Sequence, residues 1–227
     1  MNRAARCVLA LSVAVTVQAA AGGLVPIDDW NDYPLGALPL TAPSKWSIYS
    51  SMPVFKQPPA IVVDNGRRAL RLKTDRETMA IGRMIHADIT MVSMLVWEWK
   101  PLVLPAGGDV RQFAVNRNDQ AARLVLWFDA PLFGNRRAIG YIWDSNAPVG
   151  EIVRQRDRHT DRALLVVRSG STGLGRWHRE TRHVYEDYRR IFHEEPADLL
   201  AVTLESHSDD VKGESAVLFG TIRLQPK

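Results

Sequence analysis

Residues 93–100, with the sequence SMLVWEWK, decide the fold class. Leu95, Trp97 and Trp99 fall on one side of an extended segment, and the residues between them fall on the other. Such alternation over a short segment predicts a half-buried β-strand. We expect Pro101 to end this strand, because proline cannot donate a hydrogen bond to a strand ladder.

Two later segments alternate in the same way: residues 122–129, ARLVLWFD, and residues 139–144, IGYIWD. Further short strands are predicted at residues 69–73, 163–168, 199–205 and 216–224. Only residues 184–192 show the apolar spacing of a helix. Because many short strands with almost no helix between them cannot form parallel βαβ units, the sequence predicts an all-β chain. The expected architecture is an antiparallel two-sheet β-sandwich with one short helix.

The first 21 residues have the three-part organisation of a secretory signal peptide. Two arginines precede an apolar run over residues 7–17, and small residues ending at Ala21 follow it. This run is shorter than the roughly 20 residues that a membrane-spanning helix needs. We therefore expect cleavage after Ala19 or Ala21. The mature chain, residues 22–227, is expected to be one periplasmic or secreted domain with no membrane span.

Composition describes an ordinary folded domain without disulfides. Hydrophobic residues make up 46% and charged residues 24% of the chain. Cys7 is the only cysteine and lies in the predicted signal peptide, so the mature chain should contain no thiol. The formal net charge is +4, and the arginines are scattered among acidic residues. This pattern gives no support to nucleic-acid binding, whereas a basic face that meets an anionic envelope polymer stays open.

Tests for known catalytic and ligand-binding motifs find none. The glycine-rich residues 169–175 lack the Lys-Ser/Thr pair of a phosphate-binding loop and predict a hairpin loop. Ser171 lacks the Gly-x-Ser-x-Gly frame of a nucleophile elbow. His178 and His183 lack the spacing of two zinc ligands on one helix, so surface or helix-capping roles are expected. The sequence thus predicts no cofactor, no metal site and no catalytic constellation.

Six side chains on the predicted strands are candidate ligand-binding residues: Glu98, Lys100, Arg123, Trp127, Asp129 and Glu205. Alternation puts Trp127 on one face with Arg123 and Asp129, and puts Glu98 with Lys100. Aromatic rings flanked by charged hydrogen-bonding groups are typical of sugar sites. If these faces meet on one sheet, they form a groove for a glycan or an anionic envelope polymer.

Two other functions stay open. A hydrolase or lyase acting on such a polymer would need two carboxylates at a suitable separation, for which Glu98, Asp129 and Glu205 are the candidates. A periplasmic scaffold would bind another protein through a sheet edge. Large aromatic residues in a sandwich also serve as core packing, so the tryptophans alone do not separate these functions.

Seven motifs follow one another along the chain: Leu38-Pro39 with Trp46, VWEWK at 96–100, NDQAAR at 118–123, GYIW at 140–143, Trp177 with Glu180 and Arg182, YEDYRRIF at 185–192, and FGTI at 219–222. In order and spacing they resemble a bacterial secreted family known as domain of unknown function 3047. The resemblance implies a jelly-roll-like β-sandwich similar to carbohydrate-binding modules. It implies no particular activity.

One loop departs from the family pattern. Where the family tends to carry an acidic loop resembling Thr-Asp-x-Asp-Asn-Thr, residues 206–211 read SHSDDV. Histidine replaces the first aspartate and valine replaces the last threonine. Calcium needs six to eight oxygen ligands, of which Asp209, Asp210 and Glu214 could supply some. Whether this loop binds calcium or is a solvated turn stays open.

Overall fold

A computed structural model describes residues 23–49, 54–129 and 135–227. The predicted signal peptide lies outside the described residues. The strands are β1 (Val25–Asp28), β2 (Gly36–Ala37), β3 (Ser47–Ile48), β4 (Ala60–Asp64), β5 (Arg67–Asp75), β6 (Thr78–Ala87), β7 (Met94–Val103), β8 (Ala122–Phe128), β9 (Arg136–Asp144), β10 (Ile152–Arg156), β11 (Thr160–Ser169), β12 (His178–His183), β13 (Leu199–His207) and β14 (Glu214–Gln225). One α-helix, α1 (Val184–Phe192), and one 3-10 helix, Val110–Val115, complete the described elements.

The strands form two sheets, which confirms the all-β sandwich. The first sheet has the order β12-β7-β14-β5-β4-β2, with β1 added beside β14. The second has the order β10-β11-β9-β8-β13-β6-β3. One pair departs from the expected antiparallel arrangement, because β11 runs parallel to β9. Strand β10 allows this: it runs antiparallel to β11 and therefore opposite to β9, so the chain reverses direction twice between β9 and β11.

Two details predicted from the sequence are wrong. Pro101 does not end its strand, because β7 continues to Val103. Pro101 sits opposite Val217 beside a shift in the β7–β14 register, an irregularity at which a strand tolerates proline. The glycine-rich residues 169–175 do not close a hairpin either. They connect β11 in the second sheet to β12 in the first sheet, so the loop crosses between layers.

Aromatic side chains fill the space between the sheets. Trp97 and Trp99 from β7 are fully buried, as their alternation predicts. Trp97 stacks on Tyr141 of β9 with ring centroids 5.3 Å apart, and Trp99 meets Trp143 edge-on at 6.0 Å. These contacts join the two sheets through β7 and β9, neither of which is an edge strand, so Trp97 and Trp99 are core residues.

Helix α1 occupies the predicted residues and is capped at both ends. His183 is the N-cap, and its ring accepts a hydrogen bond from the Glu186 backbone N–H, as the expected capping role requires. Asp187 in the first turn is buried and accepts hydrogen bonds from the Tyr141 hydroxyl and the Arg182 guanidinium. Within the described residues, no helix has the length and apolar character to span a membrane.

The outer face of the second sheet, which points away from the core, is built by the alternate residues of its strands. Leu124, Leu126 and Phe128 of β8 point into the core, so Arg123 and Trp127 point outward. Part of this outer face is covered by the 3-10 helix, whose Val110 packs on a small apolar cluster with Ile142, Leu164 and Val166. The remainder carries the candidate site.

Candidate functional site

The six candidate residues do not lie together. Glu98 and Lys100 are on β7, on the outer face of the first sheet. Arg123 and Trp127 on β8 and Glu205 on β13 share the outer face of the second sheet. Asp129 follows the end of β8, where its backbone N–H bonds to the Asp198 carbonyl. Since the hydrophobic core separates the two outer faces, the six residues form two groups instead of one groove.

The first-sheet group is an internally satisfied ionic network. Lys100 donates to both carboxylate oxygens of Asp64, at 3.0 and 2.9 Å, and the Trp177 indole N–H donates to the same carboxylate at 2.7 Å. The hydrogen bond from Lys100 lowers the pKa of Asp64. Glu98 lies 3.5 Å from the guanidinium of Arg67, which also sits over the Trp177 ring. The polar groups of Glu98 and Lys100 are thus engaged within the protein.

On the second sheet, Arg123 and Glu205 are direct cross-strand neighbours and both are almost completely buried, at 0% and 3% exposure. Their charged atoms approach to 3.9 Å, and Arg123 also donates to the Asn118 carbonyl. Its Nε and Nη1 atoms have no hydrogen-bond partner among the described residues. Burial lowers the pKa of Arg123 to about 10, which still leaves the guanidinium charged at neutral pH.

A chain of hydrogen bonds runs along β13 from Trp127. The Trp127 indole N–H donates to the Thr203 hydroxyl at 3.1 Å, and that hydroxyl donates to Glu205 Oε1 at 2.7 Å. The other oxygen of Glu205 is 3.1 Å from His207 Nε2. Burial alone would raise the pKa of Glu205, but the His207 hydrogen bond and the nearby charges, including those of Arg162 and Arg123, outweigh it and lower the pKa to about 2. Glu205 is therefore a fixed negative charge at neutral pH.

Tyr49 covers Trp127 and supplies the exposed aromatic surface. Their ring centroids are 5.4 Å apart, and Tyr49 is 47% exposed whereas Trp127 is only 8% exposed. Gly82 makes room for this contact, because a Cβ atom there would lie 3.3 Å from both the Tyr49 ring and the Thr203 methyl group. Trp127, which the sequence predicts as the sugar-binding aromatic residue, is thus buried and packs against Tyr49, whose ring is exposed in its place.

Five residues that are cross-strand partners form a row across the outer face through Trp127. We call it the Trp127 row, and it consists of Met84, Ala201, Trp127, Ala138 and Arg162. The alanines on either side of Trp127 are small, while Met84 at one end is exposed. Five neighbouring strands contribute, so the row spans about 19 Å at 4.8 Å per strand. The three middle residues are apolar and buried, and the larger side chains of Met84 and Arg162 lie at the two ends.

The carboxylates suggested for catalysis do not pair with Glu205. Glu98 is on the opposite side of a core about 10 Å thick. Asp129 lies six residues along β8 from the Arg123 that faces Glu205, which corresponds to about 20 Å of extended chain. A glycosidase places its two carboxyl groups about 5–10 Å apart. Neither residue is therefore an acid–base partner for Glu205.

Three residues at the edge of this site could hold a metal ion. Asp119, His207 and Asp209 each place one ligand atom within 4.8 Å of the others. Burial raises the pKa of Asp119 to about 6, with the neighbouring charges of Asp209 and Asp210 adding to the effect. The sequence does not indicate Asp119 or Tyr49 as ligand-binding residues, since nothing in the local pattern of either residue signals a site.

Comparisons with known proteins identify a family and several structures of similar fold. Residues 59–223 match the model of a family described as a protein of unknown function, DUF3047. No curated protein matches the sequence. A family 11 carbohydrate-binding module from Clostridium thermocellum, solved with a β-1,3-1,4-mixed-linked tetrasaccharide, is 11% identical. The alignment covers 91% of this chain and 98% of that one, with a TM-score of 0.47.

Two enzymes are similar to the same degree. The xyloglucanase domain of a type three effector from Sinorhizobium fredii, solved with cellobiose, is 10% identical with a TM-score of 0.46. A thermo-stable Cel12A cellulase derived from Rhodothermus marinus is 10% identical with a TM-score of 0.47. In both cases the alignment covers 82% of this chain and 95% of the other.

Proposed function

The chain belongs to the DUF3047 family, as its motifs predict, and since that family is described only as of unknown function, we propose a function from the surface of the chain itself. We propose that the protein is a non-catalytic glycan-binding module. Its binding surface is the outer face of the second sheet, along the Trp127 row. The observation that carries this proposal is the exposed Tyr49 ring held on a buried indole.

An aromatic ring in this position suits a sugar. The apolar face of a pyranose packs against an exposed aromatic ring, and the ring binds best when it is already held in place. Trp127 supports Tyr49 from below, and Gly82 lets the tyrosine lie close to the sheet. Met84 extends the apolar surface beside it. Sugar binding would therefore need little rearrangement of the aromatic surface.

Charged and hydrogen-bonding groups surround this apolar strip. Arg162 ends the Trp127 row, and the charges of Arg136, Glu205 and Arg162 are close enough to act on the pKa of Tyr49. Such groups bind sugar hydroxyls in a fixed orientation. Met84 and Arg162 at the two ends of the row are about 19 Å apart, with the exposed Tyr49 ring above the buried Trp127 between them, and this distance favours an oligosaccharide or polymer over a single sugar. The two arginines favour a glycan with acidic groups.

The location of the ligand follows from the predicted signal peptide. If the mature protein is periplasmic or secreted, the glycans that it meets are those of the cell envelope or the surroundings. This part of the proposal depends on export. Export depends in turn on the predicted signal peptide, residues 1–21, which lies outside the described residues.

The test is retention on immobilised envelope and extracellular polysaccharides, measured by affinity electrophoresis. We expect Tyr49→Ala to lose at least about tenfold in affinity, because an aromatic contact and its buried area are removed. Tyr49→Phe keeps the ring and should retain most of the affinity. Tyr185→Ala, on helix α1, where the tyrosine hydroxyl donates to Glu195 and the ring makes no contact with Tyr49 or Trp127, is the matched control and should bind like the wild type.

Folding of each variant is checked by circular dichroism and by the midpoint of thermal unfolding. Trp127→Ala should also lose binding, but because Trp127 is buried its unfolding midpoint should fall as well. Equal retention of wild type and Tyr49→Ala would reject this surface. Absence of retention of the wild type by every polymer in the panel would reject glycan binding itself.

A further inference from the structure

The loop between β13 and β14 folds over residues 118–120 and is held there by backbone hydrogen bonds. The Val211 N–H donates to Asp119 Oδ2 at 2.8 Å, and the Asn118 N–H donates to Asp210 Oδ2 at 2.9 Å. The His207 N–H donates to the Gln120 carbonyl at 3.0 Å. These contacts bring together Asp119 and the loop, which are far apart in the sequence.

The result is a cluster of one imidazole and two carboxylates. Ligand atoms of Asp119, His207 and Asp209 lie within 4.8 Å of one another. Asp119 is 1% exposed, yet its Oδ1 atom has no hydrogen-bond partner among the described residues. A buried carboxylate oxygen without a partner is costly, and in a native protein it indicates a bound ion or water. The side-chain oxygens of Asn118 and Gln120 next to it are also buried without partners.

We propose that Asp119, His207 and Asp209 bind one divalent transition-metal ion of the zinc class. Imidazole nitrogen is a ligand for zinc and neighbouring transition metals, whereas calcium is held by oxygen ligands alone. The histidine that replaces an acidic residue of the family loop is therefore a ligand in this chain. A water or a further oxygen completes a four-coordinate site of the open type.

The surrounding hydrogen bonds orient the ligands. Glu205 Oε2 lies 3.1 Å from His207 Nε2, and a proton on that nitrogen leaves the lone pair on Nδ1. A histidine whose second nitrogen is held by a carboxylate is the usual arrangement at metal sites. The Thr78 hydroxyl donates to Asp209 Oδ1 at 2.6 Å and fixes that carboxylate in turn. Each loop ligand thus has a partner that sets its direction.

The local charge also suits a cation. The cluster contains the carboxylates of Asp119 and Asp209, those of Asp210 and Glu205 lie beside it, and the cations that act on this group are Arg123 and Arg162. A divalent ion offsets the excess of negative charge around Asp119. The proposal does not depend on glycan binding, because none of the three metal ligands is Tyr49 or a residue of the Trp127 row.

The test is isothermal titration of ZnCl₂ into tag-free protein that has been stripped of metal with a chelator. We expect one saturable site, and we expect His207→Gln and Asp209→Asn each to weaken it at least about tenfold. His159→Gln, an exposed histidine in the turn between β10 and β11, is the matched control and should leave binding unchanged. Cobalt added in place of zinc should give visible absorption bands that His207→Gln removes.

Circular dichroism confirms that each variant is folded, and His207→Gln, at a partly exposed position, decides the outcome if Asp209→Asn unfolds. Wild-type protein that shows no saturable zinc binding overturns the proposal. Zinc binding that survives both substitutions places the ion elsewhere and also overturns it. Tighter binding of CaCl₂ than of ZnCl₂ at this site overturns the assignment of the metal class.

Discussion

Arg123 is a fully buried cation, and its ion-pair partner on the neighbouring strand is the almost completely buried carboxylate of Glu205, with Asp119 and Asp144 also close enough to act on it. Removing one member of such a pair leaves the charge of the other unpaired in the protein interior, where water cannot solvate it. Removing both members changes only the packing of the side chains. The Arg123–Glu205 pair is therefore expected to add little net free energy of unfolding, although it restricts the conformation of both side chains. The pair also fixes the position of Glu205 beside the proposed glycan surface.

We predict that Glu205→Gln lowers the free energy of unfolding by about 3–5 kcal/mol. The double variant Arg123→Met with Glu205→Leu should be closer to the wild type than the single variant is. Urea unfolding at pH 7 measures both. A single variant less destabilised than the double variant would show that the pair contributes net stability.

Asp64 gives a prediction with a defined pH dependence. Its pKa is lowered mainly by the hydrogen bond from Lys100, so the folded state favours the charged carboxylate more than the unfolded state does. The stabilisation is then complete above the ordinary aspartate pKa of about 4 and is lost as pH falls through the lower pKa of the folded state. Asp64→Asn should cost about 1–3 kcal/mol at pH 7.

The measurement is urea unfolding of wild type and Asp64→Asn at a series of pH values. The difference between the two proteins should stay constant from pH 7 to about pH 5 and narrow below about pH 4. Asp32→Asn, which removes the exposed ion pair of Asp32 with Lys45, is the control and should change the stability little. A difference that grows on acidification would contradict the assignment.

Helix α1 ends at a residue with an unfavourable backbone conformation. His193 has φ 59° and ψ 33°, in the left-handed region, and its N–H bonds to the Arg189 carbonyl. Glycine adopts this conformation without the Cβ clash. We predict that His193→Gly raises the free energy of unfolding by about 1 kcal/mol.

The midpoint of thermal unfolding of each variant measures this backbone effect. His193→Ala serves as the comparison, because alanine keeps the Cβ and should gain nothing. If alanine stabilises the protein as much as glycine does, the gain comes from removing the imidazole and not from the backbone.

The elements show what alternation can and cannot predict. Leu95, Trp97 and Trp99 could be assigned to a core face because successive side chains of one strand point to opposite sides. The same pattern does not say which strands are neighbours. Alternation alone therefore allows Glu98 and Glu205 to share one groove, although β7 and β13 belong to different sheets.

The residues that the sequence did not indicate have a common reason. Tyr49 follows a strand of only two residues, so no period marks it, and its position comes from pairing with β6. Asp119 and His207 meet only because the loop after β13 folds back on residues 118–120. Contacts of this kind are set by tertiary structure, and no local spacing encodes them. The helix, by contrast, was predictable to its ends, because its apolar spacing is local.

At the scale of the whole molecule, we predict that the chain is exported and that its signal peptide is removed. We expect the mature protein to begin after Ala19 or Ala21 and to carry no thiol, because Cys7 is removed with the signal peptide. Intact-mass measurement of the exported protein and titration with a thiol reagent test this. An exported protein that retains the precursor mass, or that reacts with one equivalent of the reagent, would contradict it.

Strand β14 has a consequence for how the protein is made. Among the described residues it comes last in the sequence, yet it lies inside the first sheet, paired with β7 on one side and with β5 and β1 on the other. A nascent polypeptide that lacks residues 214–225 cannot join these three partners, so it has no complete layer against which the second sheet can pack. Folding therefore has to follow synthesis of β14, and if the chain is exported as predicted, it would meet the translocation channel before its fold is complete.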